Sequence, residues 1–451
     1  MSAADRPGSE SRPYLDPTGR HPADGPGSRG PGAASDTRTE VVAGLTTFLA
    51  TAYIIVVNPA ILSDGTGMPF DGVLTATVLL CAALTILMGA YARLPFAVAP
   101  GMGLNAFFAY TIVVGQKVPW QTALGMVFWA GVLFLAISLT PIRERVATAI
   151  PASLRTAMAC GIGLLITLVG LKGAGIIAAD PITIVRPGPI TPQVLLAVLG
   201  LVIAVALMAR GYAVAFLASM VTVTMLAWGF GFITPPSWVS RPDFTAVTFK
   251  LDVWGALAPA LWPSIIAVLF TDLFDSLSTF MGVAEATGYT DENGRPLRLR
   301  QGLVVDAWAT LGAGLLGTSS GTAYVESAAG INAGGRTGLT AIVAGLCFLP
   351  ALFLAPVAAA VPSYATAPVL ILVGVLMFRT SRTLPFGVLE EMVPAFLTLV
   401  LIPLTLSITQ GLLWGLVAYV VAFVVAGRAR ELTAWNYGLG ALATGLLYLH
   451  G

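Results

Sequence analysis

The sequence predicts an all-α polytopic membrane protein of about fourteen transmembrane segments, arranged as two inverted seven-span repeats. Three observations carry that prediction. The 451 residues are 57% hydrophobic and only 10% charged, against about 25% charged in an ordinary soluble domain; mean hydropathy is +0.86. Apolar runs of about twenty residues, each long enough for a bilayer core, recur along nearly the whole chain. Two of these runs, at matching places in the two halves, are broken by glycine, proline and polar residues.

Taken in order, residues 1–38 come first. They are rich in Pro, Gly, Ser, Asp and Arg and contain no apolar run, which predicts a disordered cytoplasmic tail. The tail lacks the apolar stretch of a signal peptide. The expected segments are then 41–62, 72–92, 96–114, 119–139, 153–172, 193–209, 212–232, 257–283, 302–317, 320–334, 338–358, 364–379, 386–408 and 411–427. Pro394 and Pro403 leave 386–408 as one helix or two short ones. Residues 433–450 are apolar enough for an interfacial helix and are not counted as a span. Basic residues test the map. With the N-terminus in the cytoplasm, that side receives the tail arginines and Arg38, Arg93, Arg143, Arg145, Arg155, Arg210, Arg295, Arg298, Arg300, Arg336, Arg379, Arg382, Arg428 and Arg430. The outer side receives only Lys117, Lys172, Arg186, Arg241 and Lys250. This is the asymmetry of the positive-inside rule. It requires the weak third and tenth segments to be real, and it puts both termini in the cytoplasm.

The two broken segments read AVAPGMGLNAFFAYT (97–111) and GTSSGTAYVESAAGINAGG (317–335). Unwound backbone at membrane depth is tolerated only where it is buried in protein or lines a cavity. Each half of the map holds seven segments, so the halves have opposite orientation. Paired interrupted segments in such halves point to a midplane site. Each break carries a polar side chain, Asn105 or Glu326. A seam of small residues for helix packing is the competing account of the glycines, but it does not explain the glutamate.

Segment eight, LWPSIIAVLFTDLFDSLSTFMGVAEA, adds Asp272 and Asp275, three apart and therefore on one helix face, with Ser276 and Thr279 on or beside that face. An acid at mid-membrane costs about 2.5–3.5 kcal/mol on insertion scales, so two on one face are expected to look at protein or a cavity. They read as a ligand or proton site, or else as hydrogen-bonded packing groups. Glu285 and Asp306 sit nearer the cytoplasmic ends of their segments, and Asn58, before Pro59, reads as a cap or turn residue. Phe107, Phe108 and Tyr324 are placed either to stack on a planar ligand or simply to pack. The only histidines, His21 and His450, lie near the ends, so internal proton chemistry falls to carboxylates. Cys81, Cys160 and Cys347 have no metal or disulfide spacing. A net charge of +1 suggests no nucleic-acid partner. No nucleophile elbow, phosphate loop or metal cluster argues for an enzyme.

Four stretches, TEVVAGLTTFLATAYIIVVNPAIL (39–62), APGMGLNAFFAYT (99–111), FTDLFDSLSTFMGVA (270–284) and YVESAAGINAGGRTGLTA (324–341), resemble the nucleobase–cation symporters, specifically the adenine/guanine/hypoxanthine (AzgA-like) purine permease branch. The likeness runs from about residue 38 to 427. It implies a core domain of 39–139 and 257–358 that carries substrate, and a gate domain of 140–232 and 359–427, often the homodimer surface. Residues 428–451 would be a cytoplasmic segment. Segments three and ten would each hold a short strand and then a half-helix. By motif position it implies Glu326, Asp275, Asn105 and Tyr324, with Gly103 and Ser327 in the same motifs, as substrate-binding residues. Asp275, Glu326 and Asp272 would serve proton coupling. The implied activity is proton-coupled purine uptake across a bacterial cytoplasmic (inner) membrane, with no cofactor besides the coupled ion. A uracil- or xanthine-type base, an anion, or passive facilitation remain as alternatives. One departure is Ser278, where the branch usually has glycine.

Overall fold

The computed structural model describes residues 36–140, 150–290 and 296–450. Expectations for the tail up to residue 35, for Arg143, Arg145 and Arg295, and for the side chains of Glu285 and His450 lie outside the described residues.

The helices, in chain order, begin with α1 (Thr37–Thr51), α2 (Ile54–Ser63), α3 (Phe70–Leu87), α4 (Met102–Ala106) and α5 (Trp120–Leu139). They continue with α6 (Ala152–Gly173), α7 (Pro192–Ala209), α8 (Ala215–Gly229), α9 (Trp262–Thr287) and α10 (Leu299–Leu316). The last are α11 (Ser327–Asn332), α12 (Gly338–Phe348), α13 (Ala355–Ala359), α14 (Ser363–Phe378), α15 (Leu389–Thr405), α16 (Ile408–Val425) and α17 (Ala434–His450). Four short strands are β1 (Val98–Pro100), β2 (Ile177–Asp180), β3 (Ile184–Pro187) and β4 (Gly321–Ala323). Among the described residues, eight helical stretches are long and apolar enough to cross a membrane, and three shorter apolar stretches accompany them: Met102–Gly115, Ala215–Gly229 and Gly338–Phe353.

Local chemistry sets the element ends. Pro263 occupies the first turn of α9, where its missing N–H costs nothing. Gly288 ends that helix with φ 67, and Gly317 ends α10 with φ 94, both in the left-handed region glycine enters freely. The start of α12 is capped from a distance. Glu40 of α1, 1% exposed, accepts the backbone N–H groups of Arg336 at 3.0 Å, Thr337 at 3.2 Å and Thr340 at 3.2 Å. The Thr340 hydroxyl adds a bond at 2.5 Å. A carboxylate here satisfies orphan donors and matches the positive end of the helix dipole.

Packing falls into two groups. In one, α3 packs on α10 and α12, α5 on α10 and α9, and α1 on α11 and α12. In the other, α6 packs on α14 and α15, α7 on α8 and α14, and α15 on α16.

Two sequence expectations change. First, α1 begins at Thr37, inside the stretch assigned to the tail. Second, residues 389–405 form a single helix with Pro394 and Pro403 inside it, not two. Residues 434–450 form a helix, α17, that packs along α16. A Cβ on Gly440 would be 2.7 Å from Val420. The Tyr437 hydroxyl bonds the Ala429 carbonyl at 3.0 Å, and Leu446 lies beside Leu412 and Leu413 across a small cavity. Those pairings run antiparallel, so α17 doubles back along α16.

Candidate functional site

Backbone leaving a helix inside a membrane needs hydrogen-bond partners, and the two broken segments supply one another's. β1 of segment three pairs antiparallel with β4 of segment ten, in the register Val98↔Ala323, Ala99↔Thr322 and Pro100↔Gly321. Pro100 has no N–H to give. The ladder is extended instead by the Gly101 N–H to the Ser320 carbonyl at 3.0 Å and by the Tyr324 N–H to the Ala97 carbonyl at 3.0 Å. Past this crossing α4 and α11 begin, and α9 and α10 lie against β4.

Four carboxylates gather around the crossing, and their surroundings separate them. Asp272 is fully buried. One of its oxygens, Oδ2, accepts the Ser320 hydroxyl at 2.6 Å and the Thr310 hydroxyl; Oδ1 is buried without a partner among the described residues. Asp306 is also fully buried and accepts the Ala323 N–H at 3.3 Å, so it holds β4 from behind. Asp275 and Glu326 are different, because both are partly exposed. Asp275 Oδ2 lies 3.6 Å from where a Cβ on Gly101 would project. Among the described residues nothing donates a hydrogen bond to its carboxylate. Glu326 stands at the start of α11, which packs against α9, the helix that carries Asp275. Its Oε1 accepts the Tyr53 hydroxyl at 2.7 Å. The pair therefore offers carboxylate oxygens that still have accepting capacity, beside unwound backbone.

The other residues expected to bind substrate pack behind this pair. Asn105 is fully buried; its Oδ1 accepts the Ser319 hydroxyl. Tyr324, 5% exposed, donates to the Pro100 carbonyl at 2.5 Å. Ser327 is buried and accepts the Ala97 N–H at 3.0 Å. A Cβ on Gly103 would lie 2.6 Å from Ile162 of α6, so this glycine lets α4 approach the other packing group. Phe107 and Phe108 are buried at 0% and 2% exposure and pack within the core. Asn58 is no cap: buried within α2, it donates to Thr77 at 2.7 Å and Thr318 at 2.8 Å. Ser276 pairs with Thr322 of β4 at 3.0 Å.

Sequence reasoning missed Tyr53 and the donors Thr310, Ser319 and Ser320. Tyr53 sits in the apolar run TAYIIVV, and the hydroxyls of TSSGT read only as small residues. Their signal was the number of hydroxyls placed next to buried acids, since each buried acid needs donors. The larger of the two described cavities, about 680 Å³, lies elsewhere, between Phe48, Leu49, Met220, Trp228 and Ala351, and no carboxylate or basic side chain lines it.

Comparison with known proteins places the chain in a family. Residues 38–413 match the model of a family described as Permease family. The chain is 43% identical over 398 residues to the adenine permease AdeP of Escherichia coli K12, covering 88% of this chain and 89% of that one. It is 39% identical over 427 residues to the guanine/hypoxanthine permease PbuG of Bacillus subtilis 168, covering 89% and 94%. In three dimensions it is similar to the transmembrane domain of a cyanobacterium bicarbonate transporter, BicA, with TM-score 0.62 at 18% identity, covering 86% of this chain and 99% of that one. At that identity the likeness is one of fold. This multi-pass membrane protein is a transporter and not an enzyme: the chain belongs to the Permease family.

Proposed function

We propose that the protein imports purine nucleobases (adenine, guanine or hypoxanthine) with a coupled proton, by alternating access across a bacterial cytoplasmic membrane. The observation that carries this is the partly exposed pair Asp275 and Glu326 beside the β1–β4 crossing. A purine presents N–H donors along a flat edge, and a carboxylate accepts such donors in a plane. The relatives' names, adenine permease and guanine/hypoxanthine permease, support the same class. Glu326 would hold the N–H edge of the base, and Asp275 the other edge or the coupled proton. Asp272, held by Ser320 and Thr310, would anchor β4 as well as take part in proton coupling, with Asn105, Tyr324, Gly103 and Ser327 shaping the site from behind. An anion would disfavour two acids.

The packing groups support a core domain of 39–139 and 257–358 working against a gate domain of 140–232 and 359–427, with the gate as a homodimer surface. Antiparallel pairing of β1 with β4 supports fourteen segments in two inverted repeats. The charge asymmetry supports a cytoplasmic N-terminus. Because α17 runs back along α16, it would carry the end of the described chain away from the cytoplasmic side, in contrast to the sequence expectation. One positive charge moved inward gains about 2.3 kcal/mol per 100 mV, enough to concentrate substrate severalfold or more.

The test is uptake of radiolabelled adenine, guanine and hypoxanthine by cells of a purine-transport-deficient host expressing the chain. It is run with and without a protonophore, beside Glu326→Ala and Asp275→Ala at matched membrane levels. Concentrative uptake lost with the protonophore and in both variants is expected. Equilibration without accumulation would instead mean a facilitator, and no uptake by well-inserted protein would sink the substrate class.

A further inference from the structure

Tyr53 stands at the break between α1 and α2 and is 1% exposed. It touches two things that the other residues of the site do not join. Its hydroxyl donates to Glu326 Oε1 at 2.7 Å. Its ring meets the ring of Phe216 edge to face, with centroids 5.0 Å apart and planes at 74°. Phe216 is the second residue of α8, which packs with α7 and α14, in the group opposite the one that carries Glu326. Phe216 is itself 5% exposed, so the contact is buried at both ends.

A phenol donates one O–H. With Oε1 engaged, Glu326 is left with Oε2 and its remaining lone pairs for a ligand, in an orientation fixed by a ring that cannot tilt without moving Phe216. Hydrogen bonds to charged groups are stronger and more directional than neutral ones, and edge-to-face ring pairs add a preference of their own. We propose that Tyr53 is a positioning residue: it aims the Glu326 carboxylate at the substrate and ties the state of that carboxylate to the α8 wall, so that occupancy of the site is sensed across the seam between the two packing groups. This deepens the reading of Glu326 as a substrate acceptor and rests on it.

The experiment compares wild type, Tyr53→Phe and Phe216→Ala, as full chains at matched membrane levels, for initial rates of purine uptake across substrate concentration and external pH. Tyr53→Phe keeps the ring and removes only the donor. It is expected to raise KM about tenfold or more and to move the pH profile, which a purely structural role would leave in place. Phe216→Ala keeps the hydrogen bond and is expected to lower kcat severalfold while changing KM little. Purine binding to purified Tyr53→Phe, Glu326→Gln and the double variant closes a cycle: the double variant should bind no more weakly than Glu326→Gln alone. A Tyr53→Phe protein with wild-type KM and pH profile overturns the proposal, as do additive losses in the cycle. If Tyr53→Phe does not reach the membrane, Phe216→Ala decides, and equal changes in its kcat and KM overturn the proposal. Wild type that carries no purine is a different failure, that of the substrate reading itself.

Discussion

At the scale of single residues, neighbours and not residue type decide what each acid can do. Asp272 and Asp275 lie one helical turn apart on α9, yet the first is sealed behind Ser320 and Thr310 while the second is open and without a donor. A buried acceptor with two hydroxyl donors fixes structure; an open one can exchange its partners. Replacing Asp272 by leucine should therefore remove two hydroxyl bonds, leaving Thr310 with the Asp306 carbonyl at 3.1 Å and Ser320 with the Thr310 hydroxyl at 2.9 Å, and cost about 1–3 kcal/mol in all, read as a lower melting temperature of the purified protein. A melting temperature equal to wild type would show that Asp272 is no anchor. The spacing of these two acids was legible in the sequence, as was the oddity of Glu326 among small residues. Their division of labour was not, because it depends on Thr310 and Ser320, which lie 38 and 48 positions from Asp272 along the chain.

At the scale of elements, the breaks in segments three and ten are stabilised by each other and by distant caps. The sequence shows where helix must stop: Pro100 and Gly101 in one segment, Gly317 in the other. It does not show that the two unwound stretches pair residue for residue, since each alone has the same need for partners. Glu40 illustrates the same limit at the other end of α1. In the sequence it is an acid at the mouth of the first span. In the fold it caps α12, about 300 residues away. Glu40→Ala should remove the acceptor shared by the Arg336, Thr337 and Thr340 N–H groups, leaving Thr340 with the Thr337 carbonyl at 3.3 Å, and destabilise the protein by about 1–3 kcal/mol. Thermal unfolding in detergent would measure this, and an unchanged transition would mean that the N–H groups find other partners. Close approach of α11 to α1 depends on Gly330, where a Cβ would fall 1.9 Å from the Thr47 hydroxyl oxygen. No larger residue fits there without moving α11, the helix that Glu326 precedes.

At the scale of the whole molecule, hydropathy and charge asymmetry are sums over many residues, so they survive local error. They identified a polytopic helical membrane protein. A single helix end carries no such averaging, so the side of the membrane that 433–450 reaches needs its own test. If α17 follows α16 back through the membrane, a cysteine at position 448, where Tyr448 is 88% exposed, should react in intact cells with a membrane-impermeant maleimide. A cysteine replacing Arg430 should react only after permeabilisation. The reverse pattern would return the chain end to the cytoplasmic side.

The sequence by itself determined the class of the protein, the approximate segments, the two broken ones and the acids worth testing. Each of these follows from the cost of placing polar or non-helical groups in hydrocarbon, a cost paid residue by residue and so visible in one dimension. Only the tertiary structure decided which acids are open and which are anchors, that β1 and β4 satisfy one another, and that Tyr53 reaches both Glu326 and Phe216. Those outcomes are pairings between positions far apart in the chain, and a hydrogen bond or ring contact exists only once both partners have been brought together.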